Sequence, residues 1–180
     1  MKKFIFAVVG IATMLFCFQT AIAQEFKGLD KSPMDVAAFP SSYKEANKLV
    51  KVTYSRPQLN GRILADLAPN DKVWRTGANE AAEITFYTDM KLGGKSIPVG
   101  TYTLYTIPGD KEWTVIINKD INVWGSYFYD ESKDVARTTV PLKEGKESLE
   151  AFSMVFEEAS DGVHLHLGWG TMRIAIPFTK

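Results

Sequence analysis

From about Asn47 onward, apolar and polar positions alternate along most of the chain. Leu49-Val50-Lys51-Val52-Thr53-Tyr54 alternates and is rich in β-branched residues. Ala82, Ile84 and Phe86 share one face of a segment whose other face carries Glu83, Thr85 and Tyr87. A period of two belongs to strands, because successive side chains point to opposite sides of a sheet. Leu92-Gly93-Gly94-Lys95 predicts a tight hairpin, since two adjacent glycines accept the positive φ angles that such turns need. The run 100–107, closed by Pro108-Gly109-Asp110 and followed by Trp113–Ile117, predicts a second hairpin over 100–118. Further strands are predicted at Ala136–Leu142, Leu149–Glu157, Val163–Leu167 and Met172–Phe178, separated by Gly145, Asp161-Gly162 and Gly170. Short strands divided by turns, with little helical periodicity, predict an all-β fold: an antiparallel β-sandwich, jelly-roll-like or barrel-like. At most one or two short helices are expected, near Arg62–Leu67 or Ser41–Asn47.

The first segment obeys a different pattern. Met1-Lys2-Lys3 is basic, Phe4 to Phe18 is apolar and uncharged, and Ala21-Ile22-Ala23 has the small-x-small form of a cleavage site. Residues 1–23 are therefore expected to be a secretory signal peptide. The apolar run is shorter than the roughly 20 residues that a membrane span requires. Residues 24–46 are expected to be a partly disordered lead-in, and 47–180 a single β-sandwich domain. The expected location is extracytoplasmic, periplasmic or secreted, with no membrane span after cleavage.

Composition narrows the chemistry. The 21 Lys and Arg balance 21 Asp and Glu, which disfavours a nucleic-acid partner, because such partners select a basic face. The only Cys, Cys17, lies in the leader, so a mature chain has no disulfide, thiol chemistry or Cys-based zinc site. No cofactor is expected.

Two stretches break the alternation, 54–80 and 118–134. The first gathers Arg56, Arg75, Asn79 and Glu80 around Trp74; the second places Trp124, Tyr127, Phe128 and Tyr129 close together. Irregular aromatic loops are costly to order unless they pack on something or bind something. Arg56, Trp74, Arg75, Asn79, Glu80, Trp124, Tyr127 and Tyr129 are therefore the candidate binding residues. Arginine and amide groups would orient a polar ligand, and the rings would supply stacking faces. The ligand classes are a small molecule, a glycan or a peptide. In the competing reading Arg75 or Arg56 pairs with Glu80 and pins the long loop. A hydrolase acting on carbohydrate or cell-envelope material is a further alternative. It would use Glu80 as acid or base with Asp130, Glu131 or Asp134 as the second carboxylate. A structural role in envelope assembly is the third. The two loops would meet if the strands at 82–89 and 100–117 pair.

Other motifs are weaker. His164 and His166 share a strand face, as a metal pair would, but a third ligand would have to come from Asp or Glu. Asn118-Lys-Asp120-Ile-Asn122 opens like a calcium loop, yet Val123 replaces the required Gly, so an Asx turn is expected. Gly94-Lys95-Ser96 has no following helix, and Ser41-Ser42-Tyr43-Lys44 lacks the partner motifs of an acylating serine.

The blocks TYSRP (53–57), KVWRTGANEA (72–81), GTYTLYTIPG (100–109), EWTVIINKD (112–120) and WGSYFYDESKDVAR (124–137) resemble an exported bacterial family, domain of unknown function 2911. The resemblance spans roughly residues 47–178, with WRTGANEA its most specific part. It implies an extracytoplasmic single-domain protein and no established activity, substrate or catalytic residue.

Overall fold

Burying one face of each alternating segment produces two antiparallel sheets. The computed structural model describes residues 24–180; the predicted leader, 1–23, lies outside the described residues. The strands are β1 (Met34–Phe39), β2 (Val50–Ser55), β3 (Ala82–Phe86), β4 (Met90–Leu92), β5 (Lys95–Ile97), β6 (Gly100–Ile107), β7 (Glu112–Asn118), β8 (Asp134–Pro141), β9 (Lys143–Ala159) and β10 (Gly162–Thr179). One sheet has the order β1-β2-β3-β6-β7-β8 and the other β5-β4-β10-β9. Among the described residues, the one α-helix, α1, covers Leu64–Leu67, inside one of the two predicted stretches. The fold is thus the expected all-β sandwich, and it is not a closed barrel.

Every predicted alternation has a buried side. Val50 and Val52, Ile84 and Phe86, Leu104, Val115 and Ile117 face Phe152, Phe156, Leu165, Ile174, Ile176 and Phe178 across the interior, each 6% exposed or less. Gly93 and Gly94 adopt φ of 56° and 77° in the β4–β5 turn, the conformation predicted for that hairpin. The β6–β7 hairpin also forms, with Thr103 opposite Asn118 and Ile107 opposite Thr114.

The structure corrects three boundaries. Strand pairing begins at Met34, within the segment expected to be a lead-in, where β1 pairs with β2 from Met34↔Ser55 to Phe39↔Val50. The two predicted strands Val163–Leu167 and Met172–Phe178 are one strand, β10, with register shifts around Gly168 and Gly170. These irregularities bend β10 so far that Gly162 backs onto the Phe178 carbonyl, and Lys180 N donates to Asp161 O at 3.1 Å. Strand β9 starts at Lys143 rather than Leu149, because its first half lies on the surface and carries polar residues.

At its open side the sandwich is held by an arginine. Arg56 follows β2 and reaches β9: Nε donates to the Phe152 carbonyl at 3.0 Å and Nη2 to Ser153 Oγ at 2.8 Å. Its Nη1 pairs with Asp35 Oδ2 of β1 at 3.0 Å. One guanidinium thereby ties the edges of both sheets together, using the fork of donors that lysine lacks.

Candidate functional site

The two irregular stretches do meet. Strands β3 and β6 pair from Ala82↔Leu104 to Phe86↔Gly100, as that meeting requires. Ala81 N donates to Val123 O at 2.9 Å, Gly125 N to Asn79 O at 3.0 Å, and Ser126 Oγ to Val73 O at 2.8 Å. Glu80 and Trp124 sit opposite one another as an isolated antiparallel bridge. Asn79 takes φ of 59°, a left-handed conformation that Asn tolerates better than most residues, and this turns its carbonyl toward Gly125.

Beneath this seam lies a second, smaller apolar cluster on the outer face of the six-stranded sheet. Tyr105 and Ile116 point away from the main interior and are covered by Ala81, Val73, Val123 and Tyr129. Segment 119–133 is therefore a packed flap rather than a free loop. Its base is an Asx turn, with Asp120 N donating to Asn118 Oδ1 at 3.0 Å, in place of a calcium loop. Asn118 Nδ2 donates to Asp130 O and to Asp134 Oδ1, and Lys133 pairs with Asp120 at 3.0 Å.

The eight candidate residues divide sharply. Trp74 is removed from the surface: it is 6% exposed, stacks on Trp169 at 5.7 Å, and meets Trp113 and Phe152 edge-on. It offers no face to a ligand. Arg56 is occupied by the sheet clasp. Tyr129 lies under the flap, its ring against Tyr105 at 5.3 Å. Its hydroxyl donates to Asp134 Oδ2 at 2.7 Å and accepts from Arg137 Nη2 at 2.6 Å. Burial, then the hydrogen bond to Asp134 and its charge, push this phenol up to about 12, against the opposing pull of Arg137.

Asn79, Glu80 and Trp124 remain at the surface, with Arg75 behind them. Arg75 Nη1 donates to Asn79 O at 3.2 Å, holding the turn that presents Glu80. Neither arginine pairs with Glu80, so the competing reading of an Arg–Glu80 bridge fails; Asp35 is the partner Arg56 takes instead. Trp124, Tyr127 and Phe128 are 57%, 74% and 83% exposed. Gly125, at φ of 69°, lets the chain turn between them, and a Cβ there would stand 2.7 Å from the Tyr127 ring.

Asn79, Glu80 and Trp124 line a depression of about 250 Å³ together with Lys27, Asp30, Ser32, Met34 and Ser55. Lys27 and Asp30 come from the segment before β1, which the sequence pattern left out of the site. Glu131 and Asp134 line a separate hollow with Arg137 and Lys95. Asp130 caps the turn at Ser132. The carboxylates expected to partner Glu80 are thus engaged elsewhere. His164 and His166 stand side by side on β10 with ring centroids 6.2 Å apart, and His166 Nε2 is 2.9 Å from Glu157 Oε2. Among the described residues, no three His, Cys, Asp or Glu side chains converge as an ion would require.

Two antiparallel sheets, a guanidinium clasp and a packed flap bearing outward aromatic rings define an all-β sandwich. The chain belongs to the family described as "Protein of unknown function (DUF2911)", whose model matches residues 33–178. That match begins at Pro33 and so takes in β1. No curated protein and no solved structure matches the chain. Among the described residues, no helix is long and apolar enough to cross a membrane.

Proposed function

We propose that this protein is an exported binding module that recognises carbohydrate through the Trp124 flap and the Asn79–Glu80 turn. One observation carries the reading: three large aromatic rings face water on a segment that is otherwise tightly anchored. Mobile loops expose rings by default, but this flap holds many internal hydrogen bonds and a packed underside, so its outward rings are preorganised. Aromatic faces beside short polar side chains suit sugars, which present apolar C–H faces edged with hydroxyls. The side chains of Asn79 and Glu80 make no hydrogen bond to other described residues, so they are available to such hydroxyls. A depression of about 250 Å³ is smaller than most enclosed ligand sites, which suits a glycan gripped at one unit and lying across the rings.

The test is a screen of soluble bacterial and plant oligosaccharides by calorimetry, followed by Trp124→Ala. At least one glycan should bind the wild-type protein and lose tenfold or more in affinity in the variant. A screen without binders, or binding indifferent to Trp124, would end the proposal. Export has its own check: N-terminal sequencing of protein recovered outside the cytoplasm should begin at Gln24.

A further inference from the structure

A cavity larger than the depression at Glu80 lies elsewhere in the described structure. It has a volume of about 630 Å³ and opens between α1, the β6–β7 turn and the bend of β10. At about 30 Å³ per water, it has room for on the order of twenty solvent molecules. This volume lies within the usual range for small-molecule sites.

Its walls have two characters. Leu59, Leu64, Leu142, Trp169 and Met172 make an apolar floor. The Trp169 indole donates to Glu150 O at 3.1 Å, so its one polar group is already satisfied. The wall formed by α1 packs on the core only through the half-buried Leu64 and Leu67. None of its four residues is buried, and Ile63 beside it is 65% exposed. An apolar turn poised over an apolar floor leaves surface that a hydrophobic occupant would cover.

Four charges surround the mouth: Arg62, Lys143, Asp110 and Glu144. Arg62 is held in place, its Nε donating to Leu59 O at 2.9 Å and its Nη2 to Gln58 O at 2.8 Å. None of the four forms an ion pair among the described residues. Two unpaired cations and two unpaired anions cancel as a field, so they select neither an acidic nor a basic macromolecule. Together they complement a head group that carries both signs.

We infer that this cavity is a binding site for a small zwitterionic amphiphile, with its apolar tail on the Leu142–Trp169–Met172 floor and its head among Arg62, Lys143, Asp110 and Glu144. It shares none of its lining residues with the glycan site and stands independently of it.

The experiment titrates the mature chain with N-alkyl-N,N-dimethylglycine betaines from hexyl to decyl, each below its micelle-forming concentration, by calorimetry. Affinity should rise roughly fourfold per added methylene until the floor is filled, then level off. Thr171→Trp places a bulky ring at an exposed position on the mouth, and Ile63→Asp puts a charge on the rim. Each should weaken the decyl compound at least tenfold without lowering the urea midpoint, since neither residue is buried and Asp suits the N-cap position that Ile63 holds. Trp124→Ala should leave this binding intact. Absence of binding, affinity independent of chain length, or unchanged decyl affinity in Thr171→Trp would overturn the site. An alkyl sulfate of equal length that binds as tightly would overturn the head-group assignment.

Discussion

Trp74 and Trp124 come from the two stretches that break the strand pattern, and they end in opposite environments. Segment 56–81 turns its tryptophan inward, where it becomes part of an aromatic stack between the sheets. Segment 119–133 turns its tryptophan outward and half-buries Tyr129 instead. The difference lies in what each backbone pairs with. Trp74 exchanges hydrogen bonds with Thr106, 2.7 Å for Trp74 N to Thr106 O and 3.1 Å for the reverse, so it continues the sheet and inherits the inward side of the pleat. Trp124 is bridged only to Glu80, outside the ladder, and no pleat directs it inward. An irregular composition therefore says little about exposure. Backbone pairing decides it.

The largest test of this contrast is Trp74→Ala against Trp124→Ala. Removing Trp74 leaves a cavity among Trp113, Phe152 and Trp169, and should cost about 3–5 kcal/mol in urea denaturation. Removing Trp124 should change stability by less than about 0.5 kcal/mol, as exposed substitutions do. Similar losses for both would mean that the flap tryptophan is structural.

Next comes the clasp. Arg56→Ala deletes hydrogen bonds to Phe152 and Ser153 and the pairing with Asp35, leaving the Phe152 carbonyl short of its side-chain donor. The pair is partly solvent-exposed and contributes little by itself, so most of the expected loss of about 1–3 kcal/mol comes from the charge-assisted hydrogen bonds. Arg56→Lys should recover less than half, because an ammonium cannot serve both sheets at once. Full recovery by lysine would reduce the clasp to a simple charge effect.

How far the chain could be read depended on the same distinction. Strands β3, β6 and β7 were legible because each buries one face and shows it in alternation. β1 was missed because its six residues, MDVAAF, lie between Pro33 and Pro40 and stay only partly buried. In β10, buried residues are 163, 165 and 167 before the bend and 172, 174, 176 and 178 after it; the irregularity shifts the phase and imitates two strands. Trp74 carried a signal that went unused: Val73, Trp74, Arg75 and Thr76 alternate, with Trp74 and Thr76 buried. The contribution of Lys27 and Asp30 to the depression was illegible, because no local pattern encodes where a segment without regular structure crosses a sheet edge.

A smaller effect probes the underside of the flap. Tyr129 and Tyr105 are both raised from 10.0 to about 12, in each case chiefly by burial, with Asp134 and Asp120 respectively adding to the shift. Between those values the folded state keeps phenolic protons that the unfolded chain has lost. Stability should therefore hold below about pH 10 and decline as pH rises through about 12, seen as denaturation accompanying tyrosinate absorbance. Tyr129→Phe should cost about 1 kcal/mol near neutrality, for the lost hydroxyl bonds, and make the alkaline decline shallower. An unchanged decline would show that the flap opens before Tyr129 titrates.

Glu80→Gln should have the smallest effect on folding and discriminates most finely between functions. No described cation neutralises Glu80, and its backbone rather than its carboxylate holds the bridge to Trp124, so stability should move by less than about 0.5 kcal/mol. In a binding module the amide replaces one acceptor among several contacts, and glycan affinity should fall only a few-fold. A hydrolase would behave differently: wild-type protein would release new reducing ends from a bound glycan, and Glu80→Gln would abolish that release while binding persisted. Asp30 is the carboxylate that shares the depression with Glu80, so Asp30→Asn serves as the paired variant. Loss of turnover in both would place two working carboxylates beside the flap and replace the binding module with an enzyme. Retained binding without turnover in the wild type and both variants leaves the outward rings of 124–128 as the source of recognition.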